Sequence, residues 1–277
     1  MSEIDAPSRP RGPWDFEPQP APVVAREEPP LDKGQHPAWA LVSTALLAGF
    51  LWFVMGHWVF ALAGVVGLLV HEYGHVLAMN RLGMGPAKIY VIPFLGGVAR
   101  GQRAPGSEWH GVLVSLAGPV FGLLAAIPFF GAWYATGEGH WLLGAMFIAL
   151  INLLNLAPAP PLDGSKALGP VLARVHPLLE KVALIGVGVA VIFWGLNRGS
   201  FILAAFLAFS VFSYLRMGDW RPRTQRLSWA GAGASLLLFL VTALLCLVTL
   251  TLSVMPFAPG DPERAVQIAV GQLGVSL

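Results

Sequence analysis

The chain has 277 residues, of which 56% are hydrophobic and 12% charged, with a mean hydropathy of +0.67. Soluble domains carry roughly a quarter charged residues, so this composition excludes a soluble globular protein and implies an integral membrane one. The formal net charge of +2 is small, nothing points to a nucleic-acid partner, and a single cysteine, Cys246, excludes an intrachain disulfide.

In chain order, residues 1–37 hold nine prolines among mixed charges. Such a segment buries too little apolar surface to offset its ordering entropy, and it reads as a disordered cytoplasmic tail. Its acidic start is not a basic region leading into an apolar one, so no cleavable signal peptide is expected. Membrane spans need about 20 apolar residues. They are expected at 38–56, 58–80, 110–135, 141–157, 178–196, 200–215 and 228–256, followed by a short tail at 257–277. With the N-terminus inside, 15 of the 17 Lys and Arg residues fall on the cytoplasmic side, leaving only Arg198 and Arg264 outside. The prediction is an all-α, multi-pass domain at 38–256 with seven spans, N-terminus in and C-terminus out, in a bacterial inner membrane.

Between the second and third spans lies Ile89-Tyr90-Val91-Ile92-Pro93-Phe94-Leu95, followed by Gly96-Gly97. The run is too short to cross a bilayer. Its β-branched and aromatic residues before Gly-Gly predict a strand entering a turn, as a short β-hairpin or re-entrant segment. Pro93 confines such a strand to an edge. Ile89, Tyr90, Val91, Ile92, Phe94 and Leu95 could then pair with an extended peptide by main-chain hydrogen bonds, although a plain re-entrant loop fits the same residues. In the third span, Gly118-Pro119-Val120-Phe121-Gly122 has the small-xxx-small spacing of close helix packing, with Pro119 a candidate kink.

The second span carries the chemistry. His71-Glu72-Tyr73-Gly74-His75 sits in an apolar run from Trp58 to Asn80 whose only charged side chain is Glu72. On a helix, His71 and His75 share a face with Cβ atoms roughly 5–6 Å apart. Two imidazoles so placed can hold a zinc ion, and Glu72 beside them can take a proton from a water that the ion activates. Chance would place this pattern in roughly half a per cent of chains of this composition. The alternative is a helix with two structural histidines and a stray acid. An uncompensated carboxylate at mid-bilayer costs at least ~2.5–3.5 kcal/mol, which disfavours that reading. At 1.5 Å per residue, His71 lies roughly 13 Å from the cytoplasmic end of its span.

Zinc in a catalytic site wants a third protein ligand. The fourth span ends in Asn152-Leu-Leu-Asn155-Leu-Ala-Pro158-Ala-Pro160-Pro161-Leu162-Asp163-Gly164, where the prolines must break the helix. Irregular backbone at membrane depth is tolerated only where it lines protein or a cavity. Asp163 alone reads as the N-cap of a following helix; beside the histidine pair it becomes a candidate ligand. Asn152 and Asn155 could donate to an oxyanion or orient a peptide, with interhelical hydrogen bonding as the plainer role.

With both motifs in view, the chain resembles the site-2 protease family of intramembrane zinc metalloproteases. His71-Glu72-Tyr73-Gly74-His75 is similar to the family's metal-binding helix. Asn155 through Gly164 is similar to its second motif, with Asp163 where the family places its third ligand. Pro93 through Gly97 and Gly118-Pro119 also resemble family features, so the likeness covers roughly residues 58–165. It implies a three-helix catalytic core with peripheral helices, one Zn2+ per chain and cleavage of single-span membrane proteins in the bilayer. Two departures stand out: no PDZ-like insert interrupts 81–110, and the 21 residues after Pro256 are too few for a regulatory domain.

The expected mechanism has His71, His75 and Asp163 holding zinc and Glu72 as the base that later passes its proton to the leaving amine. The other histidines, His36, His57, His110, His140 and His176, read as interfacial. A metal transporter, or a catalytically silent membrane metal-binding protein, is the competing class. Transport predicts polar residues strung through both halves of the bilayer, and a silent relative would lack Glu72. A structural zinc site would want four protein ligands. A homo-oligomer is compatible with the sequence, which does not identify the substrate.

Overall fold

The computed structural model describes residues 32–94, 96–197, 201–216 and 225–271. Residues 1–31, the bulk of the expected tail, and Leu95 of the expected strand lie outside the described residues. The rest is mostly helical with one small sheet.

The chain enters the fold through α1 (Pro37–Met55) and turns at Gly56, whose φ of 72° favours glycine, into α2 (Trp58–Arg81). A two-stranded antiparallel hairpin follows, β1 (Lys88–Ile92) against β2 (Gly96–Arg100), with Val91 opposite Gly97. The expected strand is therefore real, and Pro93 stands in its turn rather than in the ladder. At the tip, Phe94 adopts a φ of 66°, uncommon for a bulky residue, and its ring packs edge-on against Phe50 of α1.

Helix α3 (Glu108–Leu124) is capped by Ser107, whose hydroxyl accepts from the His110 amide. Glu108 accepts from the Leu227 amide at 2.7 Å, which ties the segment just before Trp229 to the start of α3. The third span does not run unbroken to residue 135. It stops at Ala125–Ala126 and restarts as α4 (Ile127–Thr136). The cause is Pro128, which has no N–H to return to the preceding turn; Pro119 lies inside a continuous α3.

Helix α5 (Gly139–Asn155) ends in the proline-rich break, and α6 (Asp163–Val175), α7 (Pro177–Asn197), α8 (Phe201–Arg216), α9 (Trp229–Val254) and α10 (Pro262–Gly271) complete the order. Helices α2, α3 and α5 pack against one another pairwise, with α6 on α3 and α9 on α3, α5 and α6. Helix α1 packs on α2 and β1, while the α7–α8 pair joins through α6. The α10 helix occupies the short C-terminal tail.

Among the described residues, five segments are long and apolar enough to cross a membrane: Pro37–Met55, Trp58–Arg81, Glu108–Thr136, Pro177–Asn197 and Trp229–Phe257. This is fewer than the seven expected. The shortfall has a physical origin: α5 has 17 residues and α8 has 16, about 24–26 Å of rise against a hydrocarbon core of about 30 Å. Helices α1 and α9 are apolar all round yet mostly exposed, with Phe53, Leu237 and Leu244 pointing outward. Such faces suit lipid, and the chain is an integral multi-pass membrane protein.

Candidate metal centre

Helix α2 buries a stripe of small residues along with both histidines: Ala63, Gly64, Gly67, His71, Gly74 and His75. At these positions its backbone approaches its neighbours closely. A Cβ on Gly67 would meet Ile148 of α5 at 3.0 Å, and one on Gly74 would meet Phe121 Cβ of α3 at 2.7 Å. The interhistidine spacing puts both imidazoles on this buried face, pointing between α3 and the end of α5.

There, His71, His75 and Asp163 meet. His71 Nε2 lies 3.1 Å from His75 Nε2 and 3.1 Å from Asp163 Oδ2, while His75 Nε2 is 3.2 Å from that oxygen. The three atoms form a nearly equilateral triangle. A tetrahedral zinc with bonds of ~2.0–2.1 Å requires ligand edges of about 3.3–3.4 Å. The ligand set thus fits zinc to within a few tenths of an ångström, with one vertex left for water or substrate.

Hydrogen bonding fixes the chemistry of these atoms. His75 Nδ1 sits 2.7 Å from the Val114 carbonyl, which can only accept, so Nδ1 carries the proton. Asn152 Nδ2 donates to the Ile148 carbonyl at 2.8 Å, which turns Oδ1 toward His71 Nδ1, also at 2.8 Å. His71 therefore donates from Nδ1 as well. On neutral rings, both Nε2 atoms are then bare acceptors facing a carboxylate oxygen. A proton could relieve one edge of that triangle; one cation relieves all three. All three residues are buried, and theirs is the only cluster of three potential ligands among the described residues.

Asp163 reaches the site because the chain breaks sharply. After Asn155 the backbone makes consecutive tight turns, with the Ala159 amide donating to Ala157 and the Leu162 amide to Ala159, both at 2.8 Å. Asp163 then opens α6, and its side chain caps nothing; Leu162 holds the N-cap position. Gly164 makes this possible, since a Cβ there would collide with the carbonyls of Leu156 and Ala157.

Glu72 is buried beside the triangle, close enough to interact electrostatically with His71, His75 and Asp163. The hairpin covers it. Gly97 of β2 has no side chain where a Cβ would lie 2.8 Å from Glu72 Cγ, and the Ala99 backbone hydrogen-bonds the carboxylate. The Gly-Gly pair after the strand thus serves close approach to an acid as well as a turn.

Residues 59–139 match the model of peptidase family M50. Over that stretch, less than a third of its length, the chain is similar to this family, the site-2 protease family. Comparison with curated proteins and with solved structures gave no match. The matched stretch contains His71, Glu72, His75, the hairpin and Gly118. Asp163 lies beyond it, and its place in the centre rests on the distances above.

Of the two asparagines, Asn152 is buried and its amide is engaged at both ends, which makes it an orienting partner of His71. Asn155 is half-buried and donates to Ile151 one turn back. The Val114 carbonyl had no signal in the sequence, since any backbone carbonyl could serve. Replacing Asn152 by leucine is expected to weaken zinc binding about 10–100-fold through loss of the His71 orientation. Competition against a chromophoric chelator would measure it.

Proposed function

We propose that this chain is an intramembrane zinc endopeptidase that cuts single-span membrane proteins within or near their membrane segment. The carrying observation is the close triangle of three ligand-type atoms from α2 and α6, with a buried carboxylate alongside. His71, His75 and Asp163 would hold one zinc per chain. Bound there, zinc supplies Lewis acidity, polarising a carbonyl and making water acidic enough to lose a proton near neutral pH.

The protein's own groups do the rest. Glu72 accepts the water proton on its carboxylate and returns it to the leaving nitrogen as the peptide bond breaks. Asn152 and the Val114 carbonyl keep both imidazoles protonated at Nδ1 and their Nε2 atoms available. Asn155, near the end of α5, would orient the peptide by releasing the bond it donates to Ile151. A helical substrate must unwind to expose a carbonyl, and β1, with Ile89, Tyr90, Val91, Ile92 and neighbouring Phe94, offers an edge to hold it extended.

In this reading α5 and α8 complete seven crossings despite their short length, the N-terminus is cytoplasmic, and the site lies in the cytoplasmic half of the bilayer. The test is incubation of purified protein with a labelled single-span substrate, with and without a chelator, and mapping of the cut. The expected result is cleavage within the apolar segment that stops with chelator and returns with zinc. Zinc-loaded protein that cuts none of a panel of single-span substrates would count against the assignment.

A further inference from the structure

The β1 edge that would receive a peptide is already taken, by this chain itself. Val91 pairs with Gly97 across the hairpin, and its own N–H and C=O point the other way, out from the sheet. There they meet the side chain of Gln35. Val91 N donates to Gln35 Oε1 at 2.9 Å, and Gln35 Nε2 donates to the Val91 carbonyl at 3.0 Å. The carboxamide reproduces the donor and acceptor of a neighbouring strand's backbone. Gln35 Nε2 also approaches the Ser43 hydroxyl of α1 at 3.2 Å, and that hydroxyl donates to the Trp39 carbonyl.

The preceding residue sets this up. Gly34 has a φ of 82°, and a Cβ on it would lie 3.3 Å from the Lys88 side chain, so the turn is close against the start of β1. Beside Gln35 opens a cavity of about 590 Å³, walled by Trp39, Tyr90, Ile92, Val98 and Arg100. It runs along the outer face of the hairpin, where alternate side chains of an added strand would lie.

We propose that the Gly34–Gln35 turn is an internal cap on the β1 edge, which an extended peptide must displace in order to pair with Val91. This rests on the reading of β1 as a peptide-binding edge. The cap regulates access by competition: binding is weakened by the fraction of molecules in which Gln35 is seated.

The test uses the full chain carrying Glu72→Gln, so that binding is read without hydrolysis. The probe is a fluorophore-labelled, leucine-rich single-span peptide with a central Gly-Ser-Gly break, followed by anisotropy in detergent. Gln35→Ala removes the cap. Gln35→Glu keeps the shape and the acceptor, but its carboxylate cannot donate to the Val91 carbonyl. Both are expected to tighten probe binding about tenfold. Gln35→Ala, which removes the acceptor of the Val91 amide, should also speed hydrogen exchange there, with protection restored by bound probe. Equal or weaker binding by both variants, with Val91 exchange accelerated, would overturn the cap while leaving the edge intact. Unchanged Val91 exchange in Gln35→Ala would overturn it too. A probe that binds none of the three proteins would overturn the peptide-edge reading, and the cap with it.

Discussion

Glu72→Gln is expected to lower peptide hydrolysis by about 10²–10⁴-fold while zinc stays bound at one per chain. The argument is geometric. Glutamine matches the shape of glutamate, so the close fit against Gly97 survives, and its carbonyl oxygen can still accept from the Ala99 backbone. His71, His75 and Asp163 keep their own partners, none of which is Glu72. What disappears is the basic oxygen that takes a proton from water and hands it to the leaving nitrogen. Metal analysis of the purified variant, alongside cleavage of a labelled single-span substrate, reads both halves. Undiminished cleavage by the zinc-loaded variant would remove Glu72 from the mechanism. Loss of zinc together with activity would make Glu72 a structural member of the centre instead.

Much of the centre was legible because its signals are local. His71 and His75 are one helical turn apart, and a single acid in a long apolar run needs a partner in the membrane. The hairpin, too, was visible in β-branched residues ahead of Gly96-Gly97. Asp163 was harder, because nothing at 152–164 states which neighbour its carboxylate faces; the proline break only says that a helix ends there. The resemblance supplied the pairing, and in the structure the carboxylate oxygen lies 3.1 Å and 3.2 Å from the two imidazoles.

What escaped the sequence is long-range and depends on backbone. Gln35 and Val91 are 56 residues apart, and nothing distinguishes this glutamine from an ordinary tail residue until the edge it meets is placed. Pro119 lies inside a continuous helix, and the interruption of the third span falls at Pro128, a position the sequence did not single out. The small residues of the third span read as helix-packing surface. That reading is correct for Gly122 only in part, since a Cβ there would strike the Asn152 amide that orients His71.

Gly118 carries that point furthest. A Cβ at this position would lie 2.8 Å from His71 Nε2 and would collide with Nε2 and Cε1 of His75. These are the atoms that would face the metal, so even one methyl group stands in the space between the ligands and α3. Gly118→Ala is therefore expected to lower zinc affinity at least about 100-fold, beyond the loss typical of a disturbed orienting partner. The comparison that separates this from helix packing is Gly111→Ala on the same helix, where a Cβ meets nothing within 4 Å. Alanine there should add up to about 1 kcal/mol of helix propensity and leave the metal alone. Zinc titrations and thermal melts of both variants decide the matter. If Gly118→Ala binds zinc as the parent does and only melts earlier, the glycine serves packing between α2 and α3. If it melts normally without the metal but no longer gains stability when zinc is added, its missing side chain is part of the centre.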